Sequence, residues 1–124
     1  YLLQICSKMP DPSILDYDAI ENLRALGDEM EDDTFLKEVI EIYLSDTPNR
    51  LAEIDQCLVS GDAVRLNRAA HSIKGSSANL GAKKVIEVAR RMEEKSKDSL
   101  TDLEADNQLL KANFAEVRAE LEAL

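Results

Sequence analysis

The stretch GDAVRLNRAAHSIKGSSANLG, residues 61–81, reads as a helix whose start is written into it. Gly61 followed by Asp62 stops one helix and caps the next. From there Leu66, Ala69, Ala70 and Ile73 recur at three- and four-residue steps, the period of a helix with one buried face. At about 100° per residue with Ile73 as zero, Leu66, Ala69, Ala70, Ser77 and Leu80 fall within about 60°, whereas His71 falls about 160° away. His71 therefore faces solvent, and Asn67, Arg68, Lys74, Gly75 and Ala78 share its outward half.

The same period recurs on both sides of this stretch. Upstream, Ala19, Ile20, Leu23 and Leu26 make a short helix from a cap at Asp16 to a stop at Gly27. After the acidic run 28–33, Phe35, Val39, Ile42, Tyr43, Leu51, Ile54 and Leu58 predict a long helix, with a bend at Pro48. Downstream, Val85, Ile86, Val88, Ala89 and Met92 predict a helix over about 82–97, and Leu103, Leu110, Phe114, Val117 and Leu121 another over about 101–123. Four long amphipathic helices with short connections bury their stripes together as an antiparallel up-down four-helix bundle. The fold class is all-α, with a short additional N-terminal helix. Residues 1–13, which hold Pro10 and Pro12, read as a linker or short helix, and residues 14–124 as the bundle domain.

Composition narrows the function. A chain of 124 residues is one domain by length, and four Gly and three Pro are too few for a sandwich or barrel. Fifteen Lys and Arg against 25 Asp and Glu give a net charge of −10, which argues against nucleic acid or an anionic membrane surface as partner. Cys6 and Cys57 show no metal spacing and no dense disulfide pattern, as in a reducing compartment. No apolar run reaches a membrane span of about 18 residues. The charge is uneven: residues 63–97 hold nine Lys and Arg against three Asp and Glu, while both flanks are acidic. The basic segment surrounds the one histidine.

Four features of that segment suit phosphoryl chemistry. A neutral imidazole near pH 7 is a competent nucleophile towards phosphorus. Lys74, three residues on, reaches a phosphoryl oxygen on His71. Gly75, one turn beyond, either ends the helix, with 76–81 as a loop, or lies inside it, as the continuing phase of Ser77 and Leu80 favours; inside, it costs the helix about 0.5–1 kcal/mol relative to Ala and clears space beside the imidazole. Exposure spares the incoming charge a desolvation cost. No Gly-rich nucleotide loop is present, so ATP-driven autophosphorylation is not expected. Glu93 and Glu94, towards the end of the fourth helix, read first as solvated surface and second as part of the site's rim.

The run from Ala70 to Gly81, with His71, Lys74, Gly75, Ser76, Ser77, Leu80 and Gly81 in order, resembles the signature of histidine-containing phosphotransfer (HPt) domains. The Leu15 start, the Phe35-Leu36 to Tyr43-Leu44 run, Pro48 and Gly61-Asp62 resemble the family too, over about residues 14–97. The resemblance implies that His71 Nε2 accepts a phosphoryl group from a phospho-aspartate on a receiver domain and passes it to another receiver aspartate. It implies Lys74 against the phosphoryl group and Gly75 clearing the approach, while the helical wheel adds Asn67, Arg68 and Ala78 to the docking surface. Mg²⁺ and the aspartate cluster are expected from the partner receiver, with no metal or cofactor of the chain's own. A cytoplasmic monomer is expected, and the missing initiator Met and Pro-containing leader fit a piece of a hybrid kinase.

The rival is a plain adaptor bundle, which explains the stripes and leaves Gly75 and the basic segment as coincidences. An independent hydrolase or metal enzyme is disfavoured by the single histidine.

Overall fold

The computed structural model describes residues 11–27 and 33–124. The expected leader over 1–10 and the run 28–32 lie outside the described residues. All regular structure among the described residues is helical: α1 (Tyr17–Leu26), α2 (Thr34–Ser60), α3 (Ala63–Leu80), α4 (Lys83–Lys95) and α5 (Glu104–Glu122).

Local chemistry sets the ends. Asp16 caps α1 by accepting the Asp18 N–H at 3.1 Å. Gly61, at φ 76°, donates its N–H to the Cys57 carbonyl at 2.8 Å, and Asp62 Oδ1 then accepts the Arg65 N–H at 3.1 Å. This two-residue turn makes α2 and α3 antiparallel neighbours. Gly81, at φ 67°, ends α3. A Cβ there would lie 2.5 Å from Asp16 Cβ, and the Gly81 carbonyl accepts the Asp16 N–H at 2.8 Å. Glycine at 81 thus serves both the left-handed turn and the close passage of the chain entering α1.

Packing follows chain order. α3 lies between α2 and α4, α5 closes the ring against α4 and α2, and α1 rests on α2 and α3. This is the expected four-helix bundle with a short helix added at its start. Ala69 and Ala70 on α3, Ala89 on α4 and Ala82 in the turn are fully buried. Such small side chains let two helices approach closely, and the approach brings the last turn of α4 against the outward half of α3. Tyr43 on α2 stacks edge-on with Phe114 of α5, ring centroids 5.7 Å apart. Its hydroxyl shares a 2.8 Å hydrogen bond with buried Ser77 of α3. Burial pushes the Tyr43 phenol up to about 12, so it stays protonated near neutrality.

Polar groups pin the start of α5. Asp106 accepts from Arg91 at 2.8 Å and from Lys95 at 2.9 Å, both on α4. Asn107, 1% exposed, donates to Asp55 of α2 at 2.8 Å, and Lys111 joins the same carboxylate at 2.9 Å.

Two apolar residues placed on the periodic stripes stay out of the core. Leu26, at the end of α1, is 75% exposed. Ile42 is 67% exposed and does not join the core; its neighbour Tyr43 takes the inward direction, and adjacent helical residues differ by about 100°. The expected long helix is present and runs unbroken through Pro48 from Thr34 to Ser60, although proline withholds one N–H from the ladder.

Candidate functional site

His71 stands on α3 with 66% of its side chain exposed, opposite the fully buried Leu66, Ala69 and Ala70. Its Nδ1 lies 2.5 Å from Oε2 of Glu93 on α4. The other Glu93 oxygen, Oε1, accepts from Lys74 Nζ at 2.6 Å. One carboxylate, its side chain 14% exposed, therefore holds both residues. Burial alone would raise the Glu93 carboxyl; the hydrogen bonds from Lys74 and His71 outweigh it and hold the group below the usual carboxylate range.

An ionised carboxylate only accepts hydrogen bonds, so the shared hydrogen belongs to His71 Nδ1. In the neutral ring the lone pair is then on Nε2, which has no protein partner among the described residues. Gly75 is inside α3 and not at its end, since the helix runs to Leu80. A Cβ built at Gly75 meets nothing within 4 Å. Ala78 is exposed one turn further on. The outward half of α3 is thus a smooth surface beside an imidazole with an unblocked nitrogen.

Arg68 is exposed on the same half, and no described carboxylate pairs with it. Much of the basic segment is otherwise engaged: Arg65 pairs with Glu53, Arg90 with Glu87 and Glu94, and Arg91 and Lys95 with Asp106. Asn67 is half-buried, and its amide turns inward to α4, donating to the Glu93 carbonyl at 2.8 Å and to Ser96 Oγ at 3.1 Å. A groove of about 270 Å³ between Val64, Asn67, Arg68, Ser96 and Lys97 opens one turn from His71. A larger cavity of about 480 Å³, between the start of α2 and the end of α5, shares no residue with the site.

Glu93 is the residue sequence reasoning ranked too low, read first as solvated surface and only second as part of the site's rim. Its burial corrects that reading, and the cause is the close α3–α4 approach. The available signal was its position four residues after Ala89, on the flank of the α4 stripe that faces α3.

The sequence profile described as Hpt domain matches residues 38–124. The chain belongs to the Hpt domain family. The matched part of this Hpt domain starts inside α2 and includes α5 to its end, beyond the stretch over which the motif resemblance was read. The chain is 40% identical over 63 residues to histidine-containing phosphotransfer protein 4 of Arabidopsis thaliana, an alignment covering 47% of this chain and 50% of that protein. It is 26% identical over 86 residues to phosphorelay intermediate protein YPD1 of Candida albicans, covering 69% of this chain and 46% of that protein. The chain spans half or less of the length of the curated relatives it matches. Among solved structures, histidine-containing phosphotransfer protein B of Pseudomonas aeruginosa superposes with a TM-score of 0.78 at 28% identity, covering 87% of this chain and 90% of that one.

Proposed function

We propose that this Hpt domain is a phosphorelay intermediate whose His71 takes a phosphoryl group on Nε2 from a receiver-domain phospho-aspartate and hands it to a second receiver aspartate. The observation that carries this reading is the exposed imidazole with Nδ1 tied to Glu93 and Nε2 open to solvent. Lys74 stands within reach of a phosphoryl oxygen on the same ring, and the open space at Gly75 admits the partner's surface.

Phosphoryl transfer asks mainly for in-line positioning and neutralisation of charge. This chain contributes the nucleophile, a nearby cation and a flat approach. The partner receiver contributes the acyl phosphate and its Mg²⁺ site. The domain is a carrier, not an independent enzyme, and its partners are receivers of a sensor kinase and a response regulator. Four stripes that close on one another support a monomer, the sparse, widely spaced cysteines fit a reducing, cytoplasmic setting, and the acidic surface disfavours anionic membranes. Among the described residues no helix is long and apolar enough to cross a membrane.

The test is transfer from a labelled phospho-receiver with Mg²⁺ to the native chain and to His71→Gln. Label on the native chain alone, stable to alkali and labile to acid, supports the relay. A folded native chain that takes no label from a panel of receivers returns the protein to the adaptor reading.

A further inference from the structure

A phosphorylated receiver brings negative charge to the transfer, and this chain has a net charge of −10. Two acidic surfaces repel unless cations stand where they touch. Most basic residues around His71 are engaged within the chain. Glu93 holds Lys74, Glu53 holds Arg65, Glu87 and Glu94 hold Arg90, and Asp106 holds Arg91 and Lys95.

Arg68 and Lys97 are different. Both are exposed, and neither has a carboxylate partner among the described residues. They wall the groove of about 270 Å³ that opens one turn before His71. The donors on its floor are already used: Asn67 Nδ2 bonds the Glu93 carbonyl at 2.8 Å and Ser96 Oγ at 3.1 Å, and Ser96 Oγ bonds the same carbonyl at 2.8 Å. Val64, 65% exposed, supplies an apolar edge. Asp98, next in sequence to Lys97, lines a separate recess with Lys95, Ser99 and Asp102, so no described carboxylate walls the groove.

The groove also has a direction. Val64, Arg68, His71, Gly75 and Ala78 follow one another at three- and four-residue steps, one line along the outward side of α3. Past His71 this line is bare at Gly75 and small at Ala78. Before His71 it has the apolar edge and the two cations. A partner laid along the line meets charge at one end only, and that fixes which way round it lies.

We propose that the Arg68–Lys97 groove selects the receiver: it takes an acidic side chain from the receiver's rim, with an apolar neighbour against Val64, and orients the receiver over His71. This rests on reading His71 as the phosphoryl acceptor. A receiver with a lysine at that rim position is refused, because a third cation would face the two already there. Selection acts on encounter and docking, and the bond changes at phosphorus follow unaltered.

Single-turnover transfer from a Mg²⁺-loaded phospho-receiver, measured against receiver concentration at physiological salt, separates docking from chemistry. The receiver is the fastest donor to the native chain in the panel above. Arg68→Glu and Lys97→Glu should each lower the second-order rate constant roughly tenfold and leave the saturating rate within about twofold. Added salt should narrow the gap to the native chain. Lys83→Glu makes the same change of charge at the start of α4, about 15 Å along the helix from Glu93 at 1.5 Å per residue. That exceeds the screening length of about 8 Å, so its second-order constant should change less than about twofold. Circular dichroism melts verify folding of these surface variants. Equal losses in Lys83→Glu and Arg68→Glu would make the effect one of net charge and overturn the proposal. A fall in the saturating rate alone would put the cations on the phosphoryl group and overturn it too. Native second-order constants in folded Arg68→Glu and Lys97→Glu would remove the groove and leave the relay standing, whereas no transfer to the native chain would remove both.

Discussion

Gly75 offers a perturbation in which stability and function should move in opposite directions. It lies inside α3, away from both ends, and it is not among the glycines of positive φ, which are Gly61 and Gly81. A Cβ there meets nothing within 4 Å. Gly75→Ala therefore adds a methyl without a clash and removes the conformational freedom of glycine from the unfolded chain, stabilising the fold by about 0.5–1 kcal/mol. For a domain of this size the thermal midpoint should rise by roughly 2–5 °C. Gly75→Leu should also fold, because the space is open, but its side chain would stand beside His71 where a receiver must approach. Circular dichroism melts and phosphoryl-transfer rates on the same preparations give the comparison. The reasoning predicts a higher midpoint for Gly75→Ala and a loss of transfer growing from Ala to Leu. A lower midpoint for Gly75→Ala would refute the structural part. Native transfer rates in folded Gly75→Leu would refute the clearance.

Three further outcomes follow from the bundle itself. Gly81→Ala should cost more than about 1 kcal/mol in urea denaturation, because φ 67° is strained for alanine and the new Cβ meets Asp16; Gly61→Ala, with open space around it, should cost less. Asp106→Asn should destabilise by about 1–2 kcal/mol, since Arg91 and Lys95 lose the carboxylate that joins α4 to α5. Burial alone would raise the Asp106 carboxyl, but its bonds to Arg91 and Lys95 hold it below the usual range, as Lys74 and His71 do for Glu93. Their stabilisation is therefore fully present above the unfolded carboxylate range near pH 4 and is lost as pH falls through the lower folded values. Denaturant midpoints should be flat in this respect down to about pH 5 and then fall, less steeply in Asp106→Asn; equal slopes in the two proteins would contradict this.

How much of this was legible in the sequence depends on whether a feature is local. The outward direction of His71 follows from the spacing of Leu66, Ala69, Ala70 and Ile73, because one helix carries the whole argument. The turn at Gly61-Asp62 is likewise local, and Gly61, like Gly81 at the end of α3, takes the left-handed conformation. Glu93 was not legible in the same way. Its partners are 22 and 19 residues away in sequence, and their meeting depends on how closely α4 lies against α3. Asn67 shows the same limit: the wheel puts it on the outward half, and only the position of α4 reveals that its amide has partners there. Ile42 was misread because an apolar residue at helical spacing need not find a neighbour when adjacent Tyr43 takes the core direction.

The central claim is that His71 Nε2 carries the phosphoryl group. The chain has one histidine, so nitrogen-15 labelling of histidine gives one imidazole to observe. Coupling between phosphorus and that ring, measured after transfer from a phospho-receiver, identifies the bonded nitrogen. The account predicts a phosphorus coupling at Nε2 with the proton retained on Nδ1. A phosphorylated chain with no such coupling, or with phosphorus on Nδ1, would contradict it.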